Sequence, residues 1–278
     1  MYELFERSAW QSSKGITHLY STSFGKGIQA LDVSLRNPVY GIYGFVRFAD
    51  EIVDTFYQFD QRLLMEEFIR ETYLAIDRKI SLNPVLHAFQ SVVNEYGIEK
   101  ELIDAFFTSM KMDLDQKQYE AENYRQYIYG SAEVVGLMCL RVFTRNSQSL
   151  YDELKPFARR LGAAFQKVNF LRDVQSDFLD RGRVYFPGVD FGSFDREMKS
   201  KIEEDIAADF EVAYVGILKL PREARAGVYL AYKYYRALFR QIQKVEPARI
   251  LKERIRVGDN KKLLLMAESY FRIRLNLV

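Results

Sequence analysis

Gly41-Ile-Tyr-Gly-Phe-Val-Arg-Phe-Ala-Asp-Glu-Ile-Val-Asp54 and Gln166-Lys-Val-Asn-Phe-Leu-Arg-Asp-Val-Gln-Ser-Asp177 are the two stretches that decide the fold class. On an α-helix, Tyr43, Arg47, Asp50 and Asp54 share one face, and so do Gln166, Asn169, Asp173 and Asp177. The rest of each stretch is largely apolar, so each helix is expected to be buried while carrying carboxylates on one side. A buried carboxylate without a partner costs several kcal/mol, which rivals the stability of a whole domain. A cation is therefore expected between the stripes. Oxygen ligands with no His or Cys nearby favour a hard ion, Mg²⁺ above all, and Mg²⁺ commonly brings a phosphate group with it. Ion pairs of Asp50 with Arg47 and of Asp173 with Arg172 are the plainer alternative. They account for one carboxylate of each pair and leave the other uncompensated.

Composition narrows the class. In 278 residues, 48% are apolar and 15% aromatic, which is ample for a sizeable core. A net charge of +2 gives no sign of a nucleic-acid partner. Cys139 stands alone, which excludes an internal disulfide and fits a reducing cytosol. The first residues, Met1 to Arg7, lack the order of a signal peptide. No apolar run reaches the roughly 18 to 20 residues of a membrane span. The expectation is a cytoplasmic protein that can still touch the inner face of the membrane peripherally. His18 and His87 lie far apart, with no Glu-x-x-His pairs for a di-iron bundle. Gly-x-Gly-x-x-Gly and Walker-type loops are absent, so a nucleotide has no visible cradle.

The remainder reads as helix after helix in one domain spanning residues 1–278, with no internal repeat and no sustained strand alternation. Pro38 is expected to open the helix of the first stripe, running to about Tyr57. Asp60 should cap Gln61 to Arg78. Asn83-Pro84 should start a helix ending near Tyr96-Gly97, and Ile98 to Gln118 follows. Asn123 precedes an expected helix over 124–144, and a long one over 150–180 carries the second stripe. Arg181 to Gly188 interrupts as a loop. Helices resume over 195–219, 221–244 and 260–278. That last segment mixes Lys261, Lys262, Arg272 and Arg274 with Leu263 to Leu265, Tyr270 and Phe271. Two readings stay open for it: a helix lying on a membrane, or one packed on its own domain. Oligomeric state is not readable.

Small residues recur in otherwise bulky helices: Gly130, Ser131, Ala132 and Gly136, then Gly162 to Ala164. They signal either close helix packing or room for an apolar ligand. Phe24, Tyr43, Tyr129, Phe165 and Phe170 are candidates to line such a space, against the ordinary alternative that they are core. A cavity with aromatic walls and Mg²⁺ at one end suits a prenyl diphosphate. The metal holds the diphosphate and ring faces stabilise the carbocation left behind.

Five ordered segments resemble the motifs of squalene and phytoene synthases: Tyr20 to Phe24, Arg47 to Asp54, Tyr129 to Gly136, Asn169 to Asp177 and Gly182 to Pro187. The resemblance covers nearly the whole chain. It implies an all-α isoprenoid-synthase bundle with a central active-site cavity. It further implies head-to-head condensation of two prenyl diphosphates through a cyclopropylcarbinyl diphosphate. Carried over, Asp50, Asp54, Asn169, Asp173 and Asp177 would be metal ligands, with Mg²⁺ as the cofactor and Mn²⁺ as a substitute. Ser21, Ser23, Phe24, Tyr43, Arg47, Gln166, Arg172 and Arg183 would bind substrate, with Arg183 in a flap over the diphosphates. Tyr129 would join the four aspartates as a catalytic residue near the reacting carbons. The pattern is broken at Glu51, where a second adjacent aspartate is usual, and at Tyr20, often His. The spacing from Asp177 to Gly182 is also slightly long.

The function expected is phytoene synthesis from two geranylgeranyl diphosphates, without NADPH. A C30 product from farnesyl diphosphate, dehydrosqualene or squalene, is the nearest alternative. A head-to-tail chain elongator would not explain the Tyr129 or Gly182 segments. A non-catalytic assembly factor of the same fold would have no use for all four aspartates, nor would a lipid-binding module.

Overall fold

A computed structural model describes residues 1–278 except 116–118, 146, 181, 190, 259–267 and 269–278, with only the backbone of residues 179 and 180. The described elements are helical: α1 (Tyr2–Tyr20), α2 (Thr22–Gln29), α3 (Val33–Asp54), α4 (Gln61–Arg78), α5 (Pro84–Tyr96), α6 (Lys100–Asp115), α7 (Ala121–Ile128), α8 (Val134–Thr144), α9 (Gln148–Val174), α10 (Arg196–Lys219), α11 (Arg222–Gln243) and the short α12 (Pro247–Ile250). Wider π-type turns occupy Tyr129–Glu133, joining α7 to α8, and Gln175–Asp180, extending α9. Among the described residues, no helix is long and apolar enough to cross a membrane.

Caps explain where the helices begin. Asp60 accepts from Leu63 N at 3.0 Å, Asn83 from Val85 N at 3.0 Å and Asp195 from Met198 N at 2.8 Å, each satisfying an orphan donor of the first turn. Gly97 closes α5 at φ 62°, in the left-handed region that favours glycine. The expected start of α3 at Pro38 is corrected by the same physics. Asp32 accepts from both the backbone and hydroxyl of Ser34, so the helix begins at Val33 and Pro38 lies inside it. Its end is also earlier than expected, at Asp54. The segment 124–144 is two helices joined by the π-turn, and the expected helix over 260–278 lies, apart from Glu268, outside the described residues.

Two apolar clusters form the interior. One gathers around Phe45, Phe89, Phe106 and Phe107, where α3, α5 and α6 meet. The other joins α9, α10 and α11 through Phe170, Phe210 and Leu238. Glycines allow α8 and α9 to approach closely. A Cβ on Gly162 would lie 2.6 Å from Ala132 O, and one on Gly136 3.1 Å from Ala158 O. These paired levels show that α8 and α9 run antiparallel. Their facing sides border a cavity that lies between the two clusters.

Candidate active site

The cavity has a volume of about 660 Å³, and both aspartate stripes open into it. On α3 its wall runs from Val39 and Ile42 through Val46 to Asp50 and Asp54; on α9 it runs from Leu154 through Leu161 and Phe165 to Asn169 and Asp173. One end is therefore acidic and polar, and the length behind it is apolar. Asp177 lies in the π-turn after α9 and still faces the cavity.

Arginines hold the carboxylates. Arg183, only 7% exposed, donates from Nη1 to Asp54 at 2.8 Å and from Nη2 to the carbonyls of Val53 at 3.4 Å and Asp113 at 3.1 Å. Those carbonyls lie in the last turns of α3 and α6, where the helix dipoles favour a cation. Arg172 donates to Asp173 at 3.0 Å, and Arg254 pairs with the same carboxylate at 2.7 Å. Arg47 ion-pairs with Glu51 and stands 3.9 Å from Asp50. Guanidinium groups thus compensate Asp54, Asp173 and Glu51 in this structure. Among the described residues, no three His, Cys, Asp or Glu side chains form a ready metal cage.

Negative charge is still in excess beside α3. Burial, with Asp54 next, pushes the Asp50 carboxyl up to about 8, against the pull of Arg47. Its side chain keeps 33% of its surface open, onto the cavity it lines. Burial likewise raises Asp113 to about 6, with Arg183 opposing and Asp54 adding to the shift. Asp113 accepts from Tyr127 at 2.8 Å and from Tyr119 at 3.2 Å. The donors here are all oxygen and the charge is acidic, which fits a hard divalent ion once the arginines yield the aspartates.

Twelve other expected residues share this cavity with Asp177: Ser21, Ser23, Phe24, Tyr43, Arg47, Asp50, Asp54, Gln166, Asn169, Arg172, Asp173 and Arg183. The Ser21 hydroxyl also caps α2, accepting from Phe24 N at 3.2 Å. Asn169 accepts from Tyr235 at 3.2 Å and its amide approaches Gln166 at 3.5 Å. Phe24 packs its ring on Tyr43, Phe165 and Tyr235. Tyr129 is placed elsewhere. It does not line the cavity; its ring lies 5.1 Å from the Arg159 guanidinium, which pairs with Glu133. The π-turn that begins at Tyr129 changes the helical register, and Tyr127 lines the cavity instead. Asp113, Tyr127, Tyr185, Tyr235 and Arg254 belong to the lining without having been expected.

The chain belongs to the squalene/phytoene synthase family, whose members are prenyltransferase-type enzymes; the family's sequence model matches residues 17–260. Among similar proteins, a phytoene synthase of Arthrospira platensis is 25% identical, covering 96% of this chain and 94% of the relative. A 15-cis-phytoene synthase of Synechocystis sp. is 28% identical over 95% and 85% of the two chains. A 4,4'-diapophytoene synthase of Staphylococcus haemolyticus is 22% identical over 87% and 90%. Of solved structures, a dehydrosqualene synthase in complex with ligand superposes with a TM-score of 0.82 at 21% identity, covering 97% of this chain and 98% of that one. A squalene synthase from Alicyclobacillus acidocaldarius superposes with a TM-score of 0.75 at 20% identity, covering 86% and 94%. These structures establish the isoprenoid-synthase helical fold.

Proposed function

We propose that this chain condenses two geranylgeranyl diphosphates head to head to phytoene, through a cyclopropylcarbinyl diphosphate, in an Mg²⁺-dependent reaction. The observation that carries this reading is the single cavity that joins both aspartate stripes to a long apolar wall. Asp50, Asp54, Asn169, Asp173 and Asp177 would hold the metal, which supplies positive charge to the departing diphosphate. Arg47, Arg172 and Arg183, which line the same cavity, would bind the phosphate oxygens. The apolar wall receives the prenyl tails and excludes water from the allylic cation. Aromatic faces at Tyr43, Phe165 and Phe170 stabilise that cation. The reading takes residues 1–278 as one catalytic domain, cytoplasmic and in peripheral contact with the membrane in which its product dissolves.

A second reading is a C30 product from two farnesyl diphosphates. The 22% identical 4,4'-diapophytoene synthase supports it. The deciding experiment supplies pure protein and Mg²⁺ with each prenyl diphosphate and identifies the hydrocarbon, with and without NADPH. Phytoene at the same rate under both conditions is the expected result. A reduced hydrocarbon made only with NADPH would reassign the chain to squalene synthesis.

A further inference from the structure

Two side chains outside the aspartate stripes meet on one arginine. The Tyr20 ring lies over the Arg47 guanidinium, 4.4 Å from centroid to Cζ. Glu51, one turn further along α3, takes Arg47 Nη2 in an ion pair. Tyr20, Arg47 and Asp50 all line the cavity, whereas Glu51 does not. Glu51 is only 8% exposed, so its carboxylate depends on that guanidinium for compensation. Anything it does to a ligand must pass through Arg47.

The alternative partner for Arg47 is close. Asp50 Oδ2 stands 3.9 Å from Arg47 Nη1, at the i,i+3 spacing that allows a full ion pair on a helix. Were Arg47 to close on Asp50, it would occupy a candidate metal ligand and lose donors needed for an anion. Glu51 draws it the other way, and Tyr20 covers the guanidinium face and limits its swing. Glu51 takes only Nη2, and Nη1 stands beyond hydrogen-bond distance of Asp50, so the guanidinium lining the cavity keeps donor capacity after Glu51 is served. Tyr20 from the end of α1 and Glu51 from α3 thus converge on Arg47. In this fold both act on the same group.

We propose that Glu51 and Tyr20 are positioning residues that hold the Arg47 guanidinium off Asp50 and present its remaining donors to a phosphate oxygen of the substrate. This rests on the prenyl diphosphate reading above. Because the two work through one guanidinium, their effects must be coupled, and because they act on diphosphate binding they must move affinity more than turnover. Tyr20 acts through its ring face, so phenylalanine suffices there and an aliphatic residue does not.

Titration calorimetry with magnesium pyrophosphate tests this on wild type, Tyr20→Phe, Tyr20→Leu, Glu51→Asp, Glu51→Gln and the Tyr20→Leu/Glu51→Gln pair. Tyr20→Phe should bind as wild type does. Tyr20→Leu and Glu51→Gln should each weaken binding about tenfold, and the pair should be little weaker than the worse single variant, since coupling of this size is usual for residues sharing one partner. Glu51→Asp, which keeps the charge with shorter reach, should fall between wild type and Glu51→Gln. In parallel assays KM should follow these losses while kcat stays within about threefold. Tyr20 is half exposed, so its variants remain informative if the buried Glu51 tolerates no change. Wild-type affinity in Tyr20→Leu, equal losses in Tyr20→Phe and Tyr20→Leu, or fully multiplicative losses in the pair would each overturn the proposal. If wild type itself neither binds magnesium pyrophosphate nor forms hydrocarbon, the functional reading fails first. If wild type does both and Tyr20→Leu matches it, this inference alone is lost.

Discussion

At Asp50 the fold holds a carboxylate where burial and the neighbouring Asp54 disfavour its charge, raising its pKa from 3.8 to about 8. The folded state therefore binds a proton that the unfolded state releases at lower pH, and the metal-free protein loses stability as pH climbs from 3.8 towards 8. Asp50→Asn removes that loss. Thermal melts in EDTA should show the variant above wild type at pH 8 and level with it near pH 4; a pH-independent difference would contradict the assignment. Asp173→Asn keeps an amide oxygen for Arg172 and Arg254 but removes their charge partner, so it should lower the melting temperature while retaining the helical circular dichroism, and turnover should fall by several orders of magnitude. Near-wild-type turnover at saturating Mg²⁺ would remove Asp173 from the metal set. The two stripes were legible because a helical period converts spacing into a face. Asp113 and Arg254 were not legible: one sits in the unremarkable Met112-Asp113-Leu114 of α6 and the other in a non-helical segment. Each acquires its place in the cavity wall from tertiary packing alone.

At the scale of elements, the same residue type does opposite things in two helices. A Cβ on Gly162 would press on Ala132 O at 2.6 Å and on Glu133 Cα at 3.0 Å, backbone that cannot step aside without parting the π-turn before α8 from α9. Gly15 in α1 has nothing within 4 Å of that position. Gly162→Ala should then destabilise by about 1–3 kcal/mol through overpacking. Gly15→Ala should stabilise by about 0.5–1 kcal/mol through helix propensity. Urea midpoints at constant m decide both, and a stabilised Gly162→Ala would mean that α9 and the π-turn before α8 are not in contact there. Gly130 behaves like Gly162, since a Cβ there would overlap Ala105 O. The packing reading of Gly130 therefore holds over the ligand-space reading, whereas the Gly41 and Gly44 positions border the side chains of Trp10 and Ser13 at 3.1 and 3.0 Å. Gly136 and Gly162 do both, since they border the cavity as well. Sequence distinguishes such cases poorly because a glycine looks alike whether helix or ligand fills its space. Helix ends with a side-chain cap and a breaker, such as Asp60 or Asn83-Pro84, were legible because the signal is local. The π-turn at Tyr129–Glu133 carries no local signal, and the placement of Tyr129 changed with it.

At the scale of the whole molecule, the cavity's far end sets what the protein can accept. Leu154 precedes Asp173 by nineteen residues of α9, a rise of about 28 Å at 1.5 Å per residue. Val39 precedes Asp54 on α3 by fifteen, about 22 Å. Phe143 at the end of α8 lies about one turn beyond Leu154, because Gly136 faces Ala158 and Phe143 follows Gly136 by about two turns whereas Leu154 precedes Ala158 by about one. Leu31, Phe143 and Leu154 are all buried and line the cavity, so they close its apolar end. An isoprene unit that finds room there contributes up to about 4 kcal/mol at ~0.8 kcal/mol per buried carbon, whereas one that meets a wall is excluded. Wild type is predicted to prefer geranylgeranyl over farnesyl diphosphate in kcat/KM. Trimming the wall should extend the preference by one unit: Phe143→Ala should raise kcat/KM for the C25 diphosphate at least tenfold and leave the value for farnesyl diphosphate near its starting point. If Phe143→Ala lowers all three alike, Phe143 is only core and the tails end elsewhere. A tenfold preference of wild type for farnesyl diphosphate would place the wall one unit nearer the aspartates and make the product C30.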